Sequence, residues 1–293
     1  MRLLTRREHR FPAMGTRCHV VVVGGDSQLP AGAEARIREL QGRWTRFEPD
    51  SEISRLNALG SATLSPDSWR LLAAGVVGRA LTDGRFDPFL ERQIVAAGYD
   101  RDFAELTDTQ PTGTARAAVA RPIQSWDRRR RWVRLAPGAA LDSGGLGKGL
   151  AADLVSAELM AAGAVACLVN LGGDLRVRGD KGTPWEIGID RESDGESLSV
   201  RLTAGGLATS SVSRRRWGTA DGGHAHHLLD PRTGRPLRGR WVGATAIAPQ
   251  AWLAEVLSKV LLQVDQRRGA RLLARHRGGG VIQGPDGQVV TLG

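Results

Sequence analysis

The chain has 293 residues, 41% hydrophobic and 25% charged, which suits a globular protein with one large domain or two smaller ones. Its formal charge of +10 is nearly all arginine, since lysine occurs only at Lys148, Lys181 and Lys259, and it is spread along the chain apart from one arginine run at 128–131. That texture argues against a nucleic-acid partner and for long-range attraction of small anions, and no run approaches the ~20 apolar residues of a membrane span.

The opening segment, MRLLTRREHRFPAMGT, has basic residues but no apolar core. It does not read as a secretory signal, and a cytoplasmic location is the expectation. CHVVVVGG, from Cys18, is a β-branched run closed by glycines and predicts a buried strand. AEARIRELQGRWTRF reads as a helix. SPDSWRLLAAGVVGRAL reads as another, with Ser65 as N-cap, Pro66 in the first turn and an end near Leu81. From about Tyr99 to Arg131 the chain is polar and irregular.

After Trp132 short strands alternate with glycines. WVRLAPGAALDSGG reads as two strands joined at Pro137-Gly138, and ACLVNLGGDLRVRG as two strands around a Gly-Gly break. PWEIGID and SLSVRLTAGGLATSS follow as strands. Helices are expected in GLAADLVSAELMAAG and in QAWLAEVLSKVLLQV. Strands mostly follow strands, so the expected class is α+β with antiparallel sheets and packed helices. No linker divides the chain, so 1–293 reads as a single domain, of two intimate lobes at most.

The stretch LDSGGLGKGLAAD, residues 141–153, sets a glycine-rich turn and Lys148 at a helix start. It is not the usual nucleotide loop: Gly149 follows the lysine where Ser or Thr would bind magnesium, and Asp142 stands at the first-glycine position. Gly144, Gly145, Gly147 and Gly149 nevertheless allow backbone N–H groups near an anion, and Lys148 adds a mobile point charge. NLGGD offers Asn170, Gly172, Gly173 and Asp174 at a strand break. His224, His226 and His227 precede an Asp-Pro-x-x-Gly turn, but no cysteine or fourth histidine is near them to complete a zinc site. Cys18 and Cys167 suggest neither a disulfide framework nor metal spacing.

Taken in order, MGT, DSEISRLN, GRFDP, LDSGGLGKGLAAD, NLGGD, ATSS and HHLLDPRTG resemble the FAD:protein FMN transferases, the ApbE-type flavin transferases. The resemblance implies an α+β, tunnelling-fold-like architecture of two lobes with FAD between them. It implies transfer of the FMN half of FAD to a threonine or serine of a partner protein, with release of AMP. By motif position it assigns flavin contacts to Met14, Phe47, Arg85, Phe86, Asp87, Asp142, Lys148 and Leu228, and sets His227 beside the reacting phosphates. Lys148 would then stabilise charge on phosphate oxygens, and His227, with an ordinary pKa of about 6.5, would take the hydroxyl proton.

One departure bears on the metal. Where the family sets Asp, then Thr one turn later, to hold Mg2+ with a glycine-loop carbonyl near Gly145, this chain has Glu255 and Lys259. Three arrangements fit the helical spacing: an exposed Glu-to-Lys pair, a Lys259 ammonium in the cation position, or magnesium kept through Glu255 and Ser258. The same departure leaves two alternatives to transfer: an FAD pyrophosphatase, or an FAD-binding protein with weakened catalysis. VGAT, residues 242–245, lacks the preceding residues of an acceptor site, so the acceptor is expected to be another protein.

Overall fold

The computed structural model describes residues 4–106, 109–110, 112–192, 196–220 and 222–293. Among these, seven α-helices occur: α1 (Leu29–Trp44), α2 (Glu52–Leu59), α3 (Pro66–Leu81), α4 (Glu91–Ala96), α5 (Gly147–Ala161), α6 (Ala251–Leu261) and α7 (Gln266–Arg275). The chain forms two compact units, one of residues 1–41, 147–210 and 240–293, the other of residues 42–146 and 211–239. No helix of the described residues is long and apolar enough to cross a membrane.

The first unit is built on an eight-stranded sheet. Its strand order is Arg6–Ala13, Thr16–Val23, Ala166–Leu171, Asp174–Gly179, Gly205–Ser211, Gly243–Ala248, Gly279–Gln283, Val289–Leu292. Val20 to Val23 are all buried, so both faces of their strand are covered, as the unbroken β-branched run requires. On one face Leu168 and Val177 join Trp185, Ile187 and Ile189 of a separate antiparallel hairpin. On the other face Cys167 donates from Sγ to the Ser156 carbonyl of α5 at 3.6 Å. Helices α5 and α6 pack against each other and against the sheet.

Two tight turns in this sheet carry the MGT and NLGGD segments. Met14 and Gly15 have φ of 51° and 62° between paired Ala13 and Thr16, and Gly172 and Gly173 have φ of 68° and 96° between paired Leu171 and Asp174. Both are two-residue hairpins with left-handed backbone at each central position, which favours glycine; glycine fills three of the four, and Met14 takes the fourth against that preference.

In the second unit, Ser65 caps α3 by accepting from Ser68 N, with Pro66 in the first turn. Ser51 caps α2 in the same way through Ser54 N. A three-stranded antiparallel sheet joins Ser61–Thr63, Trp132–Leu135 and Ile123–Asp127. A mixed three-stranded sheet joins Thr109–Gln110, Arg216–Thr219 and His224–His226, the first pair parallel and the second antiparallel.

The architecture is α+β with mainly antiparallel sheets. One expected strand is absent: past Pro137-Gly138 the chain makes a single bridge, Ala140 to Leu90, and then turns. Its backbone is claimed by side chains instead of a ladder: Asn57 hydrogen-bonds both the N–H and the carbonyl of Leu141. SLSVRLTAGGLATSS is two strands, Ser197–Leu202 and Gly205–Ser211.

Candidate active site

Lys148 lies in the first turn of α5, in the first unit. Its ammonium donates to Asp174, which follows the Gly172-Gly173 turn, and stands 3.6 Å from Glu255 Oε1 on α6. Lys259 Nζ, one helical turn on from Glu255, lies 3.4 Å from the same Oε1 and 3.3 Å from the Glu255 carbonyl. Glu255 Oε2 accepts the Gly149 N–H at 2.8 Å. Two carboxylates and two ammoniums thus form one cluster. The carboxylates are shut away, with side chains 2% and 0% exposed, whereas those of Lys148 and Lys259 are 20% and 14% exposed. The cations are therefore the accessible part of the cluster.

Burial pushes the Asp174 carboxyl up to about 6 despite the nearby Lys148 ammonium, and the Glu255 charge adds to the rise. Burial works on Glu255 too, but the ammoniums of Lys148 and Lys259 and the Gly149 N–H outweigh it and hold that carboxyl below the usual range.

Packing explains why α6 brings Glu255 inside. The first turn of α5 runs close to the start of α6: a Cβ at Gly149 would sit 2.5 Å from the Ala251 carbonyl oxygen. Asp153 Oδ1 and Oδ2 accept the Ala251 and Trp252 N–H groups at 3.1 and 2.9 Å, capping α6 from another helix, while Gln250 at the N-cap position makes no side-chain cap. The exposed Glu-to-Lys pair is ruled out, since Glu255 is fully buried. Gly149 serves helix packing, and its N–H is committed to Glu255 rather than directed to a ligand.

The donor set at the expected metal position does not fit magnesium, which requires about six oxygens in near-octahedral array and no ammonium among them. Both Glu255 oxygens face N–H donors. Ser258 Oγ donates to the Glu255 carbonyl at 2.9 Å and lies 2.8 Å from Ser210 Oγ. No group of three or more His, Cys, Asp or Glu that could hold a metal occurs among the described residues.

Met14, also in the first unit, donates its N–H to Gln41 Oε1 at 2.6 Å, which holds the strained turn. The other predicted residues belong to the second unit. Asp142 donates its N–H to the Pro88 carbonyl at 2.7 Å, and its Oδ1 accepts from Gly144 N at 3.1 Å, leading into the turn that holds Gly145. The preceding peptide is clamped by Asn57 of α2: Leu141 N donates to Asn57 Oδ1 at 2.7 Å, and Asn57 Nδ2 donates to the Leu141 carbonyl at 2.8 Å. Arg46, 3.8 Å from Asp142, stacks over Phe47 at 4.3 Å and Tyr99 at 4.6 Å. A cavity of about 470 Å3 opens beside Arg46, Asn57, Glu91 and Ala140.

Phe86 and Asp87 are buried, and Asp87 accepts from Arg79 Nε at 2.7 Å and Phe89 N at 2.9 Å. Arg85 is close enough to Asp230 to help hold that carboxyl down, after the larger effect of Arg232, so GRFDP and HHLLDPRTG converge. His227 is half-buried and Leu228 buried. The neighbouring His226 accepts from Leu228 N at 3.3 Å, and its Nε2 meets the Leu237 carbonyl at 3.0 Å, so it braces this turn.

Asp174 as the partner of Lys148, the Asn57 clamp and the Asp153 cap escaped sequence reasoning. Each was visible only as a polar residue inside a quoted motif.

The ApbE family profile matches residues 14–282. The chain is 28% identical over 282 residues to the FAD:protein FMN transferase of Salmonella typhimurium, covering 90% of this chain and 80% of that protein. It is 27% identical over 290 residues to the FAD:protein FMN transferase of Rhodobacter capsulatus, covering 93% of this chain but 51%, about half, of that protein's length. The crystal structure of the Thermotoga maritima ApbE protein superposes with a TM-score of 0.87 at 24% identity, over 98% of this chain and 97% of that one. The Pseudomonas stutzeri flavinyl transferase ApbE gives 0.80 at 25% identity, over 99% and 95%.

Proposed function

The chain belongs to the ApbE family, and from that premise we propose that it is an FAD:protein FMN transferase acting on a threonine or serine of a partner protein. Both compact units belong to one transferase domain in this reading, because the matched residues, 14–282, run through both. The observation that carries it is the Lys148 ammonium, fixed at the start of α5 by Asp174 and Glu255 and still partly accessible.

In the reaction the acceptor hydroxyl oxygen attacks the FMN phosphorus of FAD. The bond from that phosphorus to the AMP phosphate oxygen breaks, and AMP leaves carrying the electron pair. His227 takes the hydroxyl proton, the role of an imidazole general base. Lys148 offsets charge on the non-bridging oxygens, where positioning and electrostatics supply most of the catalysis. Met14, Phe47, Arg85, Phe86, Asp87, Asp142 and Leu228 are assigned to binding FAD. Phe47 supplies a partly exposed ring and Arg46 holds it in place.

Incubating the protein with FAD and a peptide bearing an acceptor threonine tests the reading. Flavin covalently on the peptide, with equimolar AMP, is expected. Free FMN with AMP would mean hydrolysis, and intact bound FAD would mean a binding protein; either result overturns transfer.

A further inference from the structure

We propose that the Lys259 ammonium is a built-in cation for the FAD pyrophosphate, so that this chain binds and transfers without a divalent metal. The inference rests on the FMN-transfer reading. Three observations carry it. Lys259 points inward beside Glu255, and its two contacts there, at 3.3 and 3.4 Å, are long for an ammonium that has three N–H donors. Its side chain is 14% exposed and lies against a carboxylate that is 0% exposed, so of this pair only the lysine has surface open to a ligand. Glu255 is also held by the Gly149 N–H and faced by Lys148, leaving no oxygen edge open to a metal ion.

Lys259 brings one positive charge where a divalent cation would bring two, beside the Lys148 charge that the glycine-loop motif already supplies, as separate point charges on α6 and α5. An ammonium offers hydrogen bonds to phosphate oxygens where a metal ion offers coordination, so the pyrophosphate is gripped by N–H···O contacts. Glu255 acts here as a positioning residue, orienting both lysines.

The test is FAD affinity, read by quenching of flavin fluorescence, and the rate of peptide flavinylation, each in chelator and with magnesium restored. Both are expected to be unchanged by magnesium in the wild-type protein. Lys259→Met is expected to weaken FAD binding about ten- to a hundredfold, the loss of one charge-assisted contact, with no rescue by magnesium. Glu255→Asp combined with Lys259→Thr is expected to create magnesium binding measurable by calorimetry without FAD. Flavinylation that requires magnesium in the wild type overturns the inference and leaves the transferase reading intact. Metal-independent FAD binding that weakens in Lys259→Met, with no flavin on the peptide, overturns transfer and leaves the Lys259 assignment standing.

Discussion

Asp174 and Glu255 share one ammonium, yet folding moves their acidities in opposite directions. Asp174 rises from 3.8 to about 6, chiefly through burial, while Glu255 is held down by two lysines and an amide. The signs set the pH response. A carboxyl raised by folding stabilises the fold fully below its ordinary value and loses that contribution as pH climbs through the folded value; Glu255 loses its contribution as pH falls. Asp174→Asn should therefore remove a decline in stability of up to ~3 kcal/mol between pH of about 4 and 6. Urea midpoints across that range check it, and parallel curves for variant and wild type would sink it.

Helix α6 is the element on which the cluster depends, and it is fixed from outside itself. Its N-terminus lacks a local side-chain cap and takes one from Asp153 of α5, whose carboxylate also lies 3.4 Å from Arg176 Nε. Asp153→Ala removes two acceptors and leaves a buried guanidinium without that carboxylate, so a loss of about 2–4 kcal/mol is expected in urea denaturation. A change below ~0.5 kcal/mol would mean the helix start is held by packing alone. The start of α6 depends likewise on Gly149 of α5 and Gly206 of the Gly205–Ser211 strand, since a Cβ at either would run into the backbone at Ala251. The Asn57 clamp does for the Asp142 turn what Asp153 does for α6: a side chain from one helix satisfies backbone groups of a loop that forms no ladder.

For the molecule as a whole, a net charge of +10 spread along the chain should speed encounter with an anionic dinucleotide. The association rate of FAD is expected to fall about tenfold from low to high ionic strength in stopped flow, with a smaller change in dissociation. A rate indifferent to salt would show that the arginines serve another purpose. The two cysteines take no part: both are buried, and burial pushes each thiol up to about 11.

Several features were settled by sequence alone, because their causes are local. Val20 to Val23 make a strand wherever both faces can be covered, Ser65-Pro66 starts a helix, and Gly172-Gly173 closes a hairpin through backbone freedom that needs no distant partner. The ordered motifs were likewise enough to identify the family. The facing of Glu255 and Lys259 was not legible. A helix covered on nearly every side has no polar face from which direction can be read, and Ala251, Ala254 and Ser258, all buried, hint at a close neighbour without saying which. The strand predicted after Pro137-Gly138 failed for a related reason, since Asn57, some eighty residues earlier, claims the Leu141 peptide. Local propensity cannot register a competitor that only folding delivers. That Glu255 meets the Lys148 ammonium and the Gly149 N–H was decided by how closely α5 approaches α6, a distance that exists only in the tertiary structure.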